Sequence, residues 1–334
     1  MMNPAMRYLS EADVVGVLDM PRAIDALADT LTQQGLGQAR NVPKALATWG
    51  EGSSMHALGS VMTGEGGLCG FKTWVHTKQG GGSVFTLFDA TRGTLLAVIE
   101  ARALGMLRTA AITGLATRLL APATSRHAAL IGTGPQAVTQ LAALAAVRSP
   151  QTVRVFSPTP EKREAFVRQA RERYDFEVEA AGSLDAALEG ADIVTLITRA
   201  ESPFVGASQL RDCLHLNAVG AILPARAEFM PDVFERADLV AVDDIENARR
   251  GSRELRERFG TGPEPWTGVT VLSDLLAQGG VHHRPEGARM TLFKGMGMGL
   301  SDLALARVVY EAARERDLGV KLAPQTRENL LLAH

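Results

Sequence analysis

The run Ala128-Ala129-Leu130-Ile131-Gly132-Thr133-Gly134-Pro135-Gln136-Ala137 is an apolar strand-like segment, then G-x-G-x-x-A, then apolar residues at helical spacing. Each small residue in it has a physical use. Gly132 permits a tight turn, Gly134 lets a pyrophosphate reach the backbone, and Ala137 lets the following helix pack close to a sheet. The helix start offers free N–H groups and the positive end of its dipole to phosphates. Taken alone, such a loop is also compatible with a structural glycine turn. Its strand–turn–helix context is what a dinucleotide site requires. Where the second strand of such a unit ends, an acid would bind the ribose 2′-hydroxyl of NAD. Here the chain reads Val155-Phe156-Ser157-Pro158-Thr159-Pro160-Glu161-Lys162-Arg163. With hydroxyls at Ser157 and Thr159 and cations at Lys162 and Arg163, a 2′-phosphate fits better, so NADP(H) is preferred to NAD(H). The competing reading of Lys162 and Arg163 is an ordinary solvated helix face.

Two further cations stand in apolar surroundings. Arg108 lies near the start of a helical stretch otherwise lined by apolar residues. A guanidinium there can clamp a substrate carboxylate with two parallel hydrogen bonds, or it can bridge two domains as an ion pair. Lys72 sits between Phe71 and Trp74 on a strand. Desolvation there would lower its pKa and let it move protons. Strand alternation leaves it equally free to face water.

These residues need elements to hold them. Residues 1–30 read as a starter segment and a helix, with Ser10 and Asp13 spaced as a capping box. From about 42 to 100 the period changes to that of antiparallel strands joined by hairpins, with turns at Gly80-Gly81-Gly82 and Asp89–Gly93. Residues 103–120 read as one helix, with Leu104, Leu107, Ala111, Leu115 and Leu119 on a shared face and Pro122 ending it. Strands are then expected at 128–131, 152–157, 193–198, 214–219, 238–243 and 290–294. Helices are expected at 136–147, 160–173, 184–190, 231–236 and 245–258. That alternation implies a parallel sheet covered on both faces. The region 259–289 reads as irregular. A last helix at about 299–316 is expected to cross back to the first domain and make it discontinuous.

Composition narrows the class. The 334 residues suffice for two domains, and 33 glycines favour an α/β protein with many tight turns. A net charge of -2 with both signs mixed along the chain suggests neither a nucleic-acid surface nor a polybasic membrane patch. The two cysteines, Cys69 and Cys213, are far apart, and without a CxxC or Cys/His cluster no metal site is expected. No apolar run reaches membrane-spanning length and no targeting segment is evident at the start, so a cytoplasmic protein is expected.

Three more segments, taken in order with the glycine loop, resemble the ornithine cyclodeaminase/mu-crystallin family over about residues 40–320. They are Gly105-Met106-Leu107-Arg108-Thr109-Ala110-Ala111, Asn217-Ala218-Val219-Gly220-Ala221, and Thr291-Leu292-Phe293-Lys294-Gly295-Met296-Gly297 before Ser301-Asp302-Leu303-Ala304. The resemblance implies an α/β fold with a Rossmann-type dinucleotide-binding domain, 121–299. It also implies a discontinuous α+β substrate and dimerisation domain, 1–120 with 300–334, and a homodimer. It further implies hydride transfer between nicotinamide and the α-carbon of a small amino or imino acid. Gly70-Phe71-Lys72 matches the family at its catalytic lysine, and Arg108 at its carboxylate anchor. Lys44 and His56 fall where relatives carry basic residues that help hold the carboxylate, although arginine is the expected residue at 56. Cofactor contacts are implied at Thr109, Gly132, Thr133, Gly134, Pro135, Gln136, Ala137, Val219 and Gly220. Lys294, Gly295 and Met296 should pass near the nicotinamide.

One departure bears on the reaction. Cyclodeaminases and alanine dehydrogenases of the family carry an aspartate shortly after the strand that ends in Val-Gly. The matching stretch here is Val219-Gly220-Ala221-Ile222-Leu223-Pro224, with Ile222 at that position. Isoleucine cannot take a proton or orient an amine, so expulsion of ammonia is disfavoured. Reduction of a preformed cyclic ketimine carboxylate, such as pyrroline-2-carboxylate or piperideine-2-carboxylate, asks less of the protein. Two alternatives stay open. One is a cyclodeaminase or alanine dehydrogenase whose acid comes from elsewhere, with Glu228 a candidate; the other is a non-enzymatic protein that binds NADPH or a small ligand.

Overall fold

A computed structural model of the chain describes residues 5–323. The outer parts of the expected first domain, 1–4 and 324–334, lie outside the described residues. The strands gather into two sheets.

The first sheet has seven strands in the order β15-β1-β6-β5-β4-β3-β2. These are β1 (Met6–Leu9), β2 (Ala39–Trp49), β3 (Ser53–Met62), β4 (Leu68–Thr77), β5 (Gly80–Asp89), β6 (Leu95–Glu100) and β15 (Val320–Leu322). From β2 to β6 it is the expected antiparallel meander, and Lys72 lies opposite Leu58 on β3 and Phe85 on β5. The amino-terminal stretch is less simple than one helix. It forms β1, then α1 (Glu11–Val17) with the Ser10/Asp13 capping box in place, then α2 (Met20–Gly35). The break falls at Asp19, whose side chain caps α2 by accepting from Arg22 N, with Pro21 in the first turn.

The second sheet is parallel throughout, in the order β13-β12-β14-β11-β10-β7-β8-β9. Its strands are β7 (His127–Ile131), β8 (Thr152–Phe156), β9 (Glu177–Ala180), β10 (Ile193–Leu196), β11 (His215–Ala218), β12 (Ala237–Val242), β13 (Val269–Val271) and β14 (Met290–Lys294). Alternate residues feed separate cores on its two faces: Ala129, Ile131 and Val194 one, Ala128, Leu130 and Ile193 the other. This is the double coverage that parallel strands need. The helices between are α4 (Ala137–Val147), α5 (Pro160–Arg171), α6 (Leu184–Leu188), α7 (Ile245–Gly251), α8 (Arg253–Phe259) and α9 (Leu272–Ala277).

Two expectations need correction here. The helix expected at 245–258 is two, because the Ser252 side chain caps a new start by accepting from Leu255 N. The helix expected at 231–236 is a single 3-10 turn, Pro231–Glu235. The region 259–289, read as irregular, is loop-rich but also holds the short elements β13 and α9.

Helix α3 (Arg102–Leu120) joins the two sheets. A single apolar face was expected, but every residue from Ala110 to Thr117 is buried. The helix packs on α2 and α4, and also on α10 and β11, so that stretch has no solvent face. Its carboxyl end is held by one guanidinium: Arg148 donates to Thr117 O, Ala121 O and Pro122 O. Helix α10 (Gly299–Glu315) leaves the second sheet and packs on the first, against β2–β5 and α2.

Candidate active site

On β4 the residues alternate between faces, and Lys72 shares the inner face with Gly70 and Trp74. That face is covered by the start of α10, so Lys72 is buried and does not face water. Its Nζ donates to Asp302 Oδ1 at 2.8 Å. Arg108 reaches the same oxygen from α3, with Nε 3.5 Å away. A Cβ added at Gly105 would stand 3.4 Å from Lys72 Nζ, so the first turn of α3 lies directly over the ammonium. Burial is the main cause that pushes the Lys72 pKa down, to about 8; Arg108 adds to it, and Asp302 opposes it.

Lys44 and His56 join this group through Trp74. The His56 ring stacks on the Trp74 ring, with centroids 4.5 Å apart and planes 1° from parallel. Lys44 and Lys72 both lie over the Trp74 ring, at 5.6 and 5.1 Å from its centroid. Burial, then the nearby Arg108 charge, lowers the Lys44 pKa. Burial, then Lys44, lowers that of His56, which favours the neutral imidazole. His56 Nε2 is 2.9 Å from Ser54 Oγ. Lys72 and Arg108 thus share the acid Asp302, and Lys44 adds a third positive charge beside Arg108. The arrangement is built to receive an anion.

The glycine turn sits at the carboxyl ends of the parallel strands, where strand order reverses between β7 and β10. Gly132 has φ +117, and a Cβ there would meet Ile197 O at 2.5 Å, so only glycine fits. Nothing lies within 4 Å of a Cβ built on Gly134. Gly134 and Pro135 are exposed, and Gln136 Oε1 is buried without a hydrogen-bond partner. Ala137 is fully buried and starts α4. Open space at a glycine and an orphaned polar atom beside a helix start fit a dinucleotide. At the end of β8, Thr133 Oγ1 donates to Ser157 Oγ at 3.0 Å. Arg163 donates to Ser157 O at 3.0 Å and lies over the Phe156 ring, while Thr159 and Lys162 are exposed. Thr109 turns its hydroxyl back to Gly105 O, within its own helix.

The remaining loops at this edge are held by buried acids. Glu228 accepts from Thr198 N, Thr198 Oγ1, Gly220 N and Ala221 N. Both of its oxygens are committed to these loops, so the candidate spare acid is a brace and not a proton donor. A Cβ at Gly220 would strike Thr198 N at 2.2 Å, and Val219 beside it is buried. Lys294 is fully buried, donating to Glu254 Oε1 and Ala221 O. Its side chain therefore leaves only backbone to offer a cofactor. The Gly295 backbone N–H bonds to Ala218 O. Met296 N and Gly297 N donate to Asp243, and Asn247 donates to Gly297 O. Ile222 is exposed at this edge.

Asp302 and Trp74 are the site residues that sequence reasoning missed. Asp302 had a readable signal: it is the lone charge in the apolar stretch Leu300-Ser301-Asp302-Leu303-Ala304-Leu305-Ala306. Trp74 had none beyond being two residues from Lys72, on the same strand face. Among the described residues no group of three or more His, Cys, Asp or Glu is placed to hold a metal ion, and no helix is long and apolar enough to cross a membrane.

Comparison with known proteins gives the family. A Delta(1)-pyrroline-2-carboxylate reductase of Bacillus cereus is 30% identical over 239 residues, covering 72% of this chain and 73% of the relative. The ketimine reductase mu-crystallin of Mus musculus is 30% identical over 228 residues, 68% of each chain. The solved structure of an archaeal alanine dehydrogenase dimer with bound NAD superposes with a TM-score of 0.86 at 25% identity, covering 95% of this chain and 98% of that one. The sequence profile of the ornithine cyclodeaminase/mu-crystallin family matches residues 5–317, and the chain belongs to that family.

Proposed function

We propose that the protein is a nicotinamide-dependent reductase of cyclic ketimine carboxylates, of the pyrroline-2-carboxylate or piperideine-2-carboxylate type. The observation that carries this reading is the pair of cations Lys72 and Arg108 on the buried Asp302, with Lys44 beside Arg108, together with an exposed isoleucine, Ile222, on the loop after β11. An anionic substrate is drawn in, and no acid stands ready on that loop to expel ammonia. The two relatives whose names specify imine reduction support the same choice.

The residues divide the work. The guanidinium of Arg108, with Lys44 beside it, receives the carboxylate. Lys72 stands on the same face and supplies the proton that the imine nitrogen needs. With a pKa near 8 its ammonium is charged at neutral pH and acidic enough to give that proton up. Trp74 and His56 form a flat wall beside it that keeps water from the ammonium. Bound NAD(P)H supplies the hydride for the imine carbon. The 132–137 turn would hold its pyrophosphate. Ser157, Thr159, Lys162 and Arg163 would hold a 2′-phosphate, which favours NADP(H).

The exposed apolar side chains Trp49, Met55, Phe71 and Val84 share the sheet face opposite Lys72, which suits a homodimer built on that face. Both cysteines are free, which fits a reducing compartment such as the cytoplasm.

A second reading, an amino-acid dehydrogenase, is favoured by the superposition on alanine dehydrogenase. One assay separates them. NADPH and NADH consumption is followed with pyrroline-2-carboxylate, piperideine-2-carboxylate, and pyruvate plus ammonia, and ornithine-to-proline conversion is run beside them. Turnover of the cyclic imines above the other substrates is expected. Ornithine turnover with catalytic nucleotide would overturn the reductase reading, and tight NADPH binding without any turnover would leave a binding protein.

A further inference from the structure

Three acids around the site, Glu228, Asp243 and Asp302, are 0% exposed, and they are not equivalent. Glu228 and Asp243 are saturated by backbone N–H groups and serve as loop braces. Asp302 accepts no backbone N–H. Among the described residues its Oδ1 meets only Lys72 Nζ and Arg108 Nε, and its Oδ2 is buried without a hydrogen-bond partner. Its side chain is 0% exposed and Lys72's is 6% exposed.

Stability does not account for such a pair. Taking two charges out of water costs several kcal/mol per ion, by general experience roughly offset by their attraction, and well-packed apolar residues often do as well or better. A stabilising network would also use both carboxylate oxygens, and here one is idle. Asp302 does sit in the first turn of α10, where the helix dipole favours an anion. The carboxylate thus stands at the point where strand β4 and helix α3 bring their cations together.

We propose that Asp302 is a positioning residue for the reaction: one carboxylate oxygen sets the place and direction of the Lys72 ammonium and ties Arg108 to it. This rests on the imine-reductase reading above. In the step it serves, an N–H bond of the Lys72 ammonium breaks as the imine nitrogen gains that proton. The hydride for the imine carbon would come from a reduced nicotinamide held through the 132–137 turn, which would be oxidised in turn. Lys72, left as a neutral amine, recovers its proton from solvent, and Asp302 neither gives nor takes a proton in the step. The carboxylate also keeps Lys72 charged, because its charge and hydrogen bond oppose the burial and the neighbouring Arg108 and Lys44 charges that lower the pKa.

The test compares pH profiles of kcat/KM for the wild type and Asp302→Asn, with pyrroline-2-carboxylate and NADPH. The substrate's own titration is common to both, so a difference between profiles belongs to the enzyme. Asp302→Asn is expected to lose at least tenfold in kcat and to move the alkaline limb down by a unit or more. NADPH affinity, read by fluorescence, should stay unchanged. An unmoved limb with near-normal kcat would overturn the proposal. A wild type with no imine turnover would instead overturn the reading beneath it. If Asp302→Asn does not fold, Asp302→Glu retains the charge, and its limb is expected within half a unit of the wild type; a limb moved as far as a full unit counts against the proposal. The double variant Lys72→Met/Asp302→Leu should melt no lower than the wild type while losing turnover; a large drop in Tm would assign the pair to stability.

Discussion

A Cβ added at Gly297 would fall 2.5 Å from Nη1 of Arg108 and 3.3 Å from its Cζ. The loop after β14 is thus the floor on which the guanidinium rests. Gly297 also has φ +83, which favours glycine independently of space. Gly297→Ala should displace Arg108 without touching it chemically. Steady-state kinetics should show the imino acid KM raised about tenfold or more, with NADPH affinity within twofold. Arg108→Ala should raise it further, since losing hydrogen bonds to a charged group costs roughly 1.5–3 kcal/mol each, or about 10- to 100-fold. Unchanged KM in both variants would remove Arg108 from the substrate site.

Two buried groups should give the rate a bell-shaped pH dependence. Lys72 must be an ammonium to donate its proton, so kcat/KM should fall as pH rises through about 8. The groups facing it are Asp302, Arg108 and Lys44. Asp243 must be a carboxylate to accept from Met296 N and Gly297 N. Burial, with the adjacent Asp244 adding to it, raises its pKa to about 6, while those N–H groups and Arg108 act against the rise. Below about 6 its proton competes with the Gly297 N–H at 2.6 Å, and the floor under Arg108 loosens. Activity should therefore fall on both sides of an optimum between these values. Lys72→Arg should lose the alkaline limb along with most turnover, because guanidinium does not titrate there. Asp243→Asn should lose the acid limb. A profile flat from pH 5 to 9 would discard both assignments.

Much of this was legible in the chain, for a physical reason in each case. Gly132 and Ala137 could be read because a positive φ and a close helix approach admit few residue types. The parallel strands could be read because burial on both faces writes continuous apolar runs such as Ala128–Ile131. The side on which Lys72 lies could not be read, because the strand pattern around it is apolar on both faces: Phe71 is 41% exposed on the outer one. Asp302 was hidden for a related reason. Helical spacing marks which face is buried, but the acid that a distant lysine needs is a tertiary fact, 230 residues away in the chain. The burial of α3 on all sides from Ala110 to Thr117 likewise depends on α2, α4, α10 and β11 packing around it.

Cofactor choice should rest on the end of β8. Arg163 is held in place by Ser157 O and Phe156, whereas Lys162 is exposed. If these cations receive a 2′-phosphate, Arg163→Ala should raise the NADPH KM about tenfold, with the NADH value changed less than threefold. Lys162→Ala should have a smaller effect of the same sign, because a flexible exposed ammonium contributes less than a fixed guanidinium. Equal effects on both nucleotides would mean that Arg163 only braces the loop.

The loop 220–226 offers a test of what decides the reaction. Ile222 is 40% exposed, so an aspartate there meets water and should change stability by no more than about 0.5 kcal/mol. Glu228 cannot substitute for such an acid, because its oxygens already hold Thr198, Gly220 and Ala221. Ile222→Asp would add a carboxylate to the loop that follows β11. That should lower imine reduction several-fold by opposing the anionic substrate, and it should give an ammonium-bearing amino acid a partner it lacks in the parent. Ornithine-dependent ammonia release, undetected in the parent, should become measurable in the variant. Were the parent to release ammonia at a rate the variant merely matches, the isoleucine would not be what separates the two chemistries.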